Sequence, residues 1–269
     1  GCAGAVFFAD LGAWLAGSVL SGSLTVLGLG PGDPDLCTTS ANAALARASD
    51  LVGYGAYLAR VPNRLGQTRH VSDNGAELER ARLALRLAEA GRSVAVVSGG
   101  DPGVFAMASA VFEAVEHGPP AWRALDITVI PGVSAMLAVA ARVGAPLGGD
   151  FCALSLSDNL KPWPVVLRRL QLAAEAEFVI ALYNVRSAAR PWQLDAALGV
   201  LRTHLPGETP VVFARAVSRD TEDIRLLRLA EATGEAADMR TLVLIGGRQT
   251  RWIARADGRR WVYTKRFVD

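Results

Sequence analysis

The chain has 269 residues, 51% of them hydrophobic, with 28 Lys+Arg against 26 Asp+Glu. That length buries a sizeable core and suits two modest α/β domains, and the near balance of charge makes no electrostatic case for a nucleic-acid partner. Lys161 and Lys265 are the lysines, so the positive charge is almost all arginine, in part a mark of base composition and in part a set of guanidinium forks suited to carboxylate ligands.

Residues 1–22 are apolar and rich in Gly and Ala, but Asp10 interrupts them and they contain no basic n-region. They are expected to form an extension that packs on the body or at an oligomer contact, with no signal peptide and no membrane partner. Leu24–Leu29 reads as a short buried strand bounded by glycine. Thr38 or Thr39 is placed to cap a helix running to about Ser49. Short strands are expected at Leu51–Gly53 and Arg69–Val71, and Leu78, Ala81, Leu85 and Ala88 recur at helical spacing over Ala76–Ala90. Ser93–Val97 is a predicted strand, Val104–His117 a helix, Ile127–Ile130 a strand and Val133–Val143 a helix. This alternation predicts a mostly parallel sheet covered by helices.

Gly144-Ala-Pro-Leu-Gly-Gly149 marks a restart of the pattern. The expected division is an extension over 1–22, an α/β domain over 23–146 and a second α/β domain over 147–269. In the second, Cys152–Leu156, Phe178–Tyr183, Pro210–Ala214 and Thr241–Ile245 read as strands, the last one central. Val165–Ala176 and Pro191–Thr203 read as helices, and a basic tail with Trp261 and Tyr263 follows. The cysteines Cys2, Cys37 and Cys152 are odd in number and lack CxxC spacing, which predicts no disulfide and a reducing cytoplasm. His70, His117 and His204 lack metal-ligand spacing, so no metal is expected.

Two strand-to-helix turns carry an acid. Gly28-Leu-Gly-Pro-Gly-Asp-Pro34 follows the first strand, and Ser98-Gly-Gly-Asp-Pro-Gly103 follows Val94–Val97. Such turns are where open α/β sheets bind small molecules. Asp33 and Asp101 repel phosphate and attract hydroxyls, ammonium or sulfonium, so the loops point away from nucleotide phosphates. The dinucleotide fingerprint wants glycine where Asp33 stands, Pro31 removes an N–H, and no Gly-Lys-Ser/Thr occurs. Asp50, 20 residues past Gly30, precedes the second strand instead of ending it, the wrong end to reach a ribose. Pro131-Gly-Val-Ser134 lacks the second glycine of a nucleophile elbow, which leaves Ser134 as a capping or ligand-contact residue.

The ordered set of both acid-bearing loops, Pro131-Gly-Val-Ser-Ala135 and Leu182-Tyr-Asn184 resembles the tetrapyrrole (corrin/porphyrin) methylases over roughly residues 23 to 250. Val52-Gly-Tyr-Gly-Ala-Tyr57, Ser72-Asp-Asn-Gly-Ala-Glu77 and Ser155-Leu-Ser-Asp-Asn-Leu-Lys-Pro-Trp163 are similar to its C17-methylating, ring-contracting branch in cobalamin biosynthesis. The resemblance implies a two-domain α/β fold with an active-site trough between the domains, a homodimer, and S-adenosyl-L-methionine as cofactor. It implies precorrin-3B as substrate, or a cobalt-containing relative on the anaerobic route, or methylation of another tetrapyrrole carbon. Carried over motif by motif, Pro31, Gly99, Gly100, Asp101, Val104, Ser134, Ala135 and Asn184 are the expected cofactor residues. The family often has Met at the Asn184 position.

Methyl transfer from a sulfonium mainly needs alignment. Ring contraction needs a base and a donor for the leaving carboxylate. Asp73, Glu77 and Asp158 are the candidate acids, although Ser72 or Asp73 with Glu77 also reads as a helix cap and Asp158 as part of a solvated turn. Arg64, Arg69, Arg190 and Arg219 fall in predicted loops or strand ends, as do Lys161, Arg186 and Arg215, the candidates put forward for substrate carboxylates. Tyr54, Tyr57, Trp163 and Trp192 are candidates to line the ring face or ordinary core aromatics.

Overall fold

The computed structural model describes residues 22–267; the expectation for residues 1–22 therefore falls almost wholly outside the described residues, as does Cys2. Within them the chain separates into two compact units, one of residues 22–29 and 37–132 and the other of residues 30–36 and 133–267.

The first unit is an α/β sandwich. Its strands are β1 (Ser23–Gly28), β2 (Asp50–Tyr54), β3 (Thr68–Ser72), β4 (Ser93–Ser98) and β5 (Asp126–Ile130), all parallel, in the order β3-β2-β4-β1-β5. Helices α1 (Thr39–Arg47), α2 (Gly55–Leu58), α3 (Glu77–Glu89) and α4 (Met107–His117) connect them. A parallel sheet buried on both faces needs continuous apolar strands, and β4 supplies one in Val94-Ala-Val-Val97. Side chains alternate between faces. Val94 and Val96 join Leu24, Val26 and Val52 against Ala81, Leu85 and Val111 of α3 and α4. Ala95 and Val97 join Leu27 and Leu51 against Ala41, Leu45 and Leu58 of α1 and α2. Thr38 caps α1 as expected, its side chain accepting the Ala41 N–H at 3.1 Å.

The second unit holds β7 (Phe151–Ser155), β8 (Val179–Tyr183), β9 (Pro210–Arg215), β10 (Asp223–Arg228) and β11 (Thr241–Ile245) in the order β10-β9-β11-β8-β7. Only β7 and β8 run parallel; β11 is central and antiparallel to both neighbours. Helices α6 (Trp163–Glu175) and α7 (Gln193–His204) cover one face, where Val166, Leu170, Leu194 and Leu198 meet Ile180, Leu182, Phe213 and Val243. Helix α5 (Ala135–Val143) covers the other, with Val139 and Val143 against Ala181, Val212 and Leu244. A third sheet joins β12 (Thr250–Ala254), β13 (Arg260–Thr264) and the two-residue β6 (Gly144–Ala145).

Three expectations need correction. The basic tail is the β12–β13 hairpin, turned at Asp257-Gly258 with Gly258 at φ 80°. An Asp-Gly pair between alternating residues is a hairpin signal, and Arg255 over Trp261 and Arg260 over Trp252, at 4.9 and 4.8 Å, explain why the segment is basic and aromatic together. Strand β10 has no counterpart among the expected elements, because its edge position leaves it partly exposed and dilutes the apolar pattern. Helix α4 starts at Met107, not Val104, because Phe105 takes a left-handed φ of 51° and Ala106 is extended. Among the described residues no helix is long and apolar enough to cross a membrane.

Candidate functional site

Strands β4, β1 and β5 lie side by side, and their carboxyl ends deliver Gly28, the Ser98–Gly103 loop and the Pro131-Gly132 turn to one edge of the first sheet. A side chain at either Gly28 or Gly132 would run into the Gly100 carbonyl, and the two glycines also crowd each other. Glycine is therefore required for backbone to meet backbone at this edge. Gly100 itself has φ 62°. A Cβ on Gly99 would lie 2.7 Å from the Tyr57 ring, which stands edge-on to Tyr54 with centroids 5.4 Å apart.

Asp101 fastens this edge. Its Oδ1 accepts the Gly103 N–H at 2.8 Å, and its Oδ2 accepts the Gly132 N–H at 3.0 Å. An ionised carboxylate has about four acceptor positions, so hydrogen-bonding capacity is left for a ligand hydroxyl or cation. Val104 lies in the turn that follows, its N–H directed at the Asp101 carbonyl at 3.4 Å. Asp33 acts more locally. Its Oδ1 accepts the Asp35 N–H at 2.9 Å, ahead of a single 3₁₀ turn.

In the second unit, the Pro31 carbonyl accepts from Arg219 Nε at 3.2 Å, and Gly32 lies tight against the Ser218 backbone. Ser134 is the residue before α5, but its hydroxyl does not cap that helix. It lies 2.5 Å from the Tyr183 hydroxyl, which also accepts the Met136 N–H at 3.1 Å. The cap on α5 thus comes from the end of β8, through tertiary structure. Ala135 opens the helix. Asn184 has φ 53°, and its side-chain amide donates to Ser155 Oγ at 2.9 Å, joining the ends of β7 and β8.

Left-handed backbone outside glycine occurs in each unit, Glu177 before β8 included. Phe105, Asn184, Ala216 and Ser218 all have positive φ without being glycine, an arrangement common at ligand sites. The Ala216–Ser218 turn leaves no mark in the sequence, because neither Ala nor Ser signals a left-handed conformation. It is held where the Ser218 N–H meets Glu222 Oε2 at 2.6 Å.

Asp73 and Glu77 sit after β3 in the first unit, and Asp158 after β7 in the second. The capping role expected of Ser72 or Asp73 is not what the structure shows: Ala76 precedes α3, with no side-chain cap. The Asn74-Gly75 turn, with Gly75 at φ 89°, displaces both residues from the helix end. Ser72 Oγ and the Asp73 carbonyl instead accept Arg80 Nε and an Arg80 terminal N–H, each at 2.7 Å. Asp158 accepts from Gln193 Nε2 at 3.3 Å, beside the edge-on pair Trp163 and Trp192.

Burial, with Arg169 nearby, pulls the Lys161 ammonium below its usual range. Arg186 donates to the Gly234 carbonyl at 2.5 Å and Arg215 to Asp238 at 2.7 Å. Arg69 is spent on the carbonyls of Leu58, Val61 and Pro62, and Arg190 on that of Asn184. Among the described residues no group of three or more His, Cys, Asp or Glu is arranged to hold a metal ion.

The family model described as Tetrapyrrole (Corrin/Porphyrin) Methylases matches residues 23–233. The chain is 54% identical over 248 residues to a Precorrin-3B C(17)-methyltransferase from Sinorhizobium sp, covering 92% of this chain and 98% of that one. It is 39% identical over 230 residues to a Probable cobalt-factor III C(17)-methyltransferase from Salmonella typhimurium, covering 84% and 93%. Its fold is similar to the crystal structure of the methyltransferase CobJ, with a TM-score of 0.86 and 51% identity over 91% of this chain and all of that one.

Proposed function

Because the chain belongs to the tetrapyrrole (corrin/porphyrin) methylases, we propose that it methylates precorrin-3B at C17 with S-adenosyl-L-methionine and contracts the ring to precorrin-4 in cobalamin biosynthesis. The observation that carries this reading is the 54% identity to the Sinorhizobium relative across nearly its full length, against 39% to the cobalt-factor III relative.

The residues fit the cofactor. Gly28 and Gly132 let the backbone close tightly on the Gly100 carbonyl at this edge, and Asp101 keeps carboxylate capacity beside it with no lysine in either loop. In this reading Gly99, Gly100, Asp101 and Val104 hold the ribose and methionine part. Pro31, Ser134 and Ala135 border the cofactor, and Asn184 lies near the adenine. When bound, the cofactor supplies a methyl group already activated on a sulfonium. The protein contributes alignment.

One of Asp73, Glu77 and Asp158 removes the hydroxyl proton that starts contraction, and Gln193 orients Asp158. Lys161, Arg186 and Arg215 receive carboxylate arms of the macrocycle. For Arg186 and Arg215 this means sharing N–H groups that now serve Gly234 and Asp238. We place the enzyme in the cytoplasm as a homodimer; the free thiols of Cys37 and Cys152 suit a reducing compartment.

The test is incubation with precorrin-3B and S-adenosylmethionine, read by mass and absorption spectrum. The expected product gains one CH₂ and an acetyl substituent on a contracted ring. Turnover only of cobalt-factor III would move the enzyme to the anaerobic route, and turnover of neither would refute C17 methylation.

A further inference from the structure

A recess of about 250 Å³ lies between α3 and the strands β2 and β3, lined among others by His70, Ser72, Glu79, Arg80 and Arg86. Arg80 is 5% exposed, and its three hydrogen-bond partners are neutral: Ser72 Oγ, the Asp73 carbonyl, and Met107 Sδ at 3.0 Å. It makes no ion pair among the described residues. A buried guanidinium without a counter-charge is costly, and its five N–H donors exceed the partners it has.

The other charges around the recess do not neutralise it. Glu79 is committed to Arg82 at 2.6 Å, and the His70 ring to Asp50 at 2.9 Å. Arg86, like Arg80, forms no ion pair among the described residues, so the recess is left cationic. Burial pulls Arg80 below arginine's ordinary range, and Glu77 and Tyr57 oppose that pull from a distance without pairing. The Tyr57 ring is also the one that covers Gly99. The recess itself adjoins the Ser72–Glu77 loop, of which Ser72 and Ala76 line it.

We propose that the recess receives a carboxylate arm of the tetrapyrrole substrate, with Arg80 as its charge partner and Arg86 in support. This rests on the proposed function. The planar fork of Arg80 suits a carboxylate, which would supply the ion pair that Arg80 lacks among the described residues. Engaging Arg80 would also act on Ser72 and Asp73, which it already holds, and so connect substrate binding to the placement of Asp73.

The test uses ¹⁵N-labelled full-length protein saturated with S-adenosylhomocysteine. The Arg80 Nε–H resonance is followed during titration with sodium propionate, with sodium chloride as control, and then with a stable octacarboxylate porphyrin. Both carboxylate ligands are expected to shift it saturably, the porphyrin at far lower concentration. In Arg80→Met and Arg86→Gln, porphyrin affinity should fall about ten- to a hundredfold, with S-adenosylhomocysteine affinity within about twofold. A shift with propionate alone would mean a free small carboxylate, and equal shifts with chloride a general ionic effect; either overturns the proposal. So does an unmoved Arg80 signal in the wild type, which decides the matter even if Arg80→Met fails to fold. Failure of the wild type to bind S-adenosylhomocysteine would instead refute the proposed function itself.

Discussion

The Oδ2 of Asp101 accepts the Gly132 N–H at 3.0 Å while Oδ1 accepts that of Gly103 at 2.8 Å. One carboxylate therefore holds its own loop in shape and fastens it to the turn after β5. Among the described residues the Asp33 carboxylate accepts only the local Asp35 N–H. The two acids look equivalent as residues in a glycine turn, and the structure distinguishes them by what they join.

Asp101→Ala should accordingly weaken S-adenosylhomocysteine binding more than Asp33→Ala. Loss of a charge-assisted hydrogen bond costs about 1.5–3 kcal/mol, or roughly ten- to a hundredfold in affinity. Calorimetric titration of both folded variants checks this. Equal affinities for wild type and Asp101→Ala would leave the carboxylate a purely structural clamp.

Tyr183→Phe should loosen the start of α5 and, with it, the loop carrying Ser134. The substitution leaves the buried Ser134 hydroxyl and the Met136 N–H without their shared partner. The expected cost is about 1–3 kcal/mol of stability, seen in urea denaturation, together with weaker S-adenosylhomocysteine binding. A stability loss with unchanged binding would place the tether outside the cofactor site.

Asp50 should make the first unit sensitive to acid. Burial alone would raise its pKa, but hydrogen bonds from Arg92 at 2.7 Å, His70 at 2.9 Å and Ser49 at 2.7 Å outweigh it and hold the carboxyl below its usual value. A depressed folded pKa means stability that is complete above the unfolded value of about 3.9 and is lost as pH falls through the folded one. Asp50→Asn should be less stable than wild type at pH about 6, and the gap should shrink steadily below pH about 4. Denaturation midpoints across that range test the sign. A gap that widens on acidification contradicts it.

Removing the contraction base should separate the two halves of the reaction. Only contraction demands proton removal from a hydroxyl, and a placed base contributes about a hundred- to ten-thousandfold. One of Asp73→Asn, Glu77→Gln and Asp158→Asn should accumulate a C17-methylated, uncontracted species at near-normal cofactor affinity. Product mass and trapping of the acetyl group distinguish the outcomes. If all three contract the ring at the wild-type rate, the substrate's own carboxylates become the better base.

Local chemistry determined much by itself. The apolar β4 run, the helical spacing through Leu85 and Ala88, the Thr38 cap and the acid-bearing glycine loops each follow from neighbours in the chain. So does the family resemblance, which rests on short motifs. Contacts between distant residues are different, because no spacing rule announces them. Tertiary structure decided that the Ser134 hydroxyl meets Tyr183 instead of capping its own helix, and that Asp101 reaches Gly132. It also buried Arg80 without an ion pair among the described residues and held Ala216 and Ser218 in a conformation their side chains disfavour. The physical reason is common to all of these: burial removes water as the alternative partner, so which groups meet depends on which strand ends the sheet order places side by side.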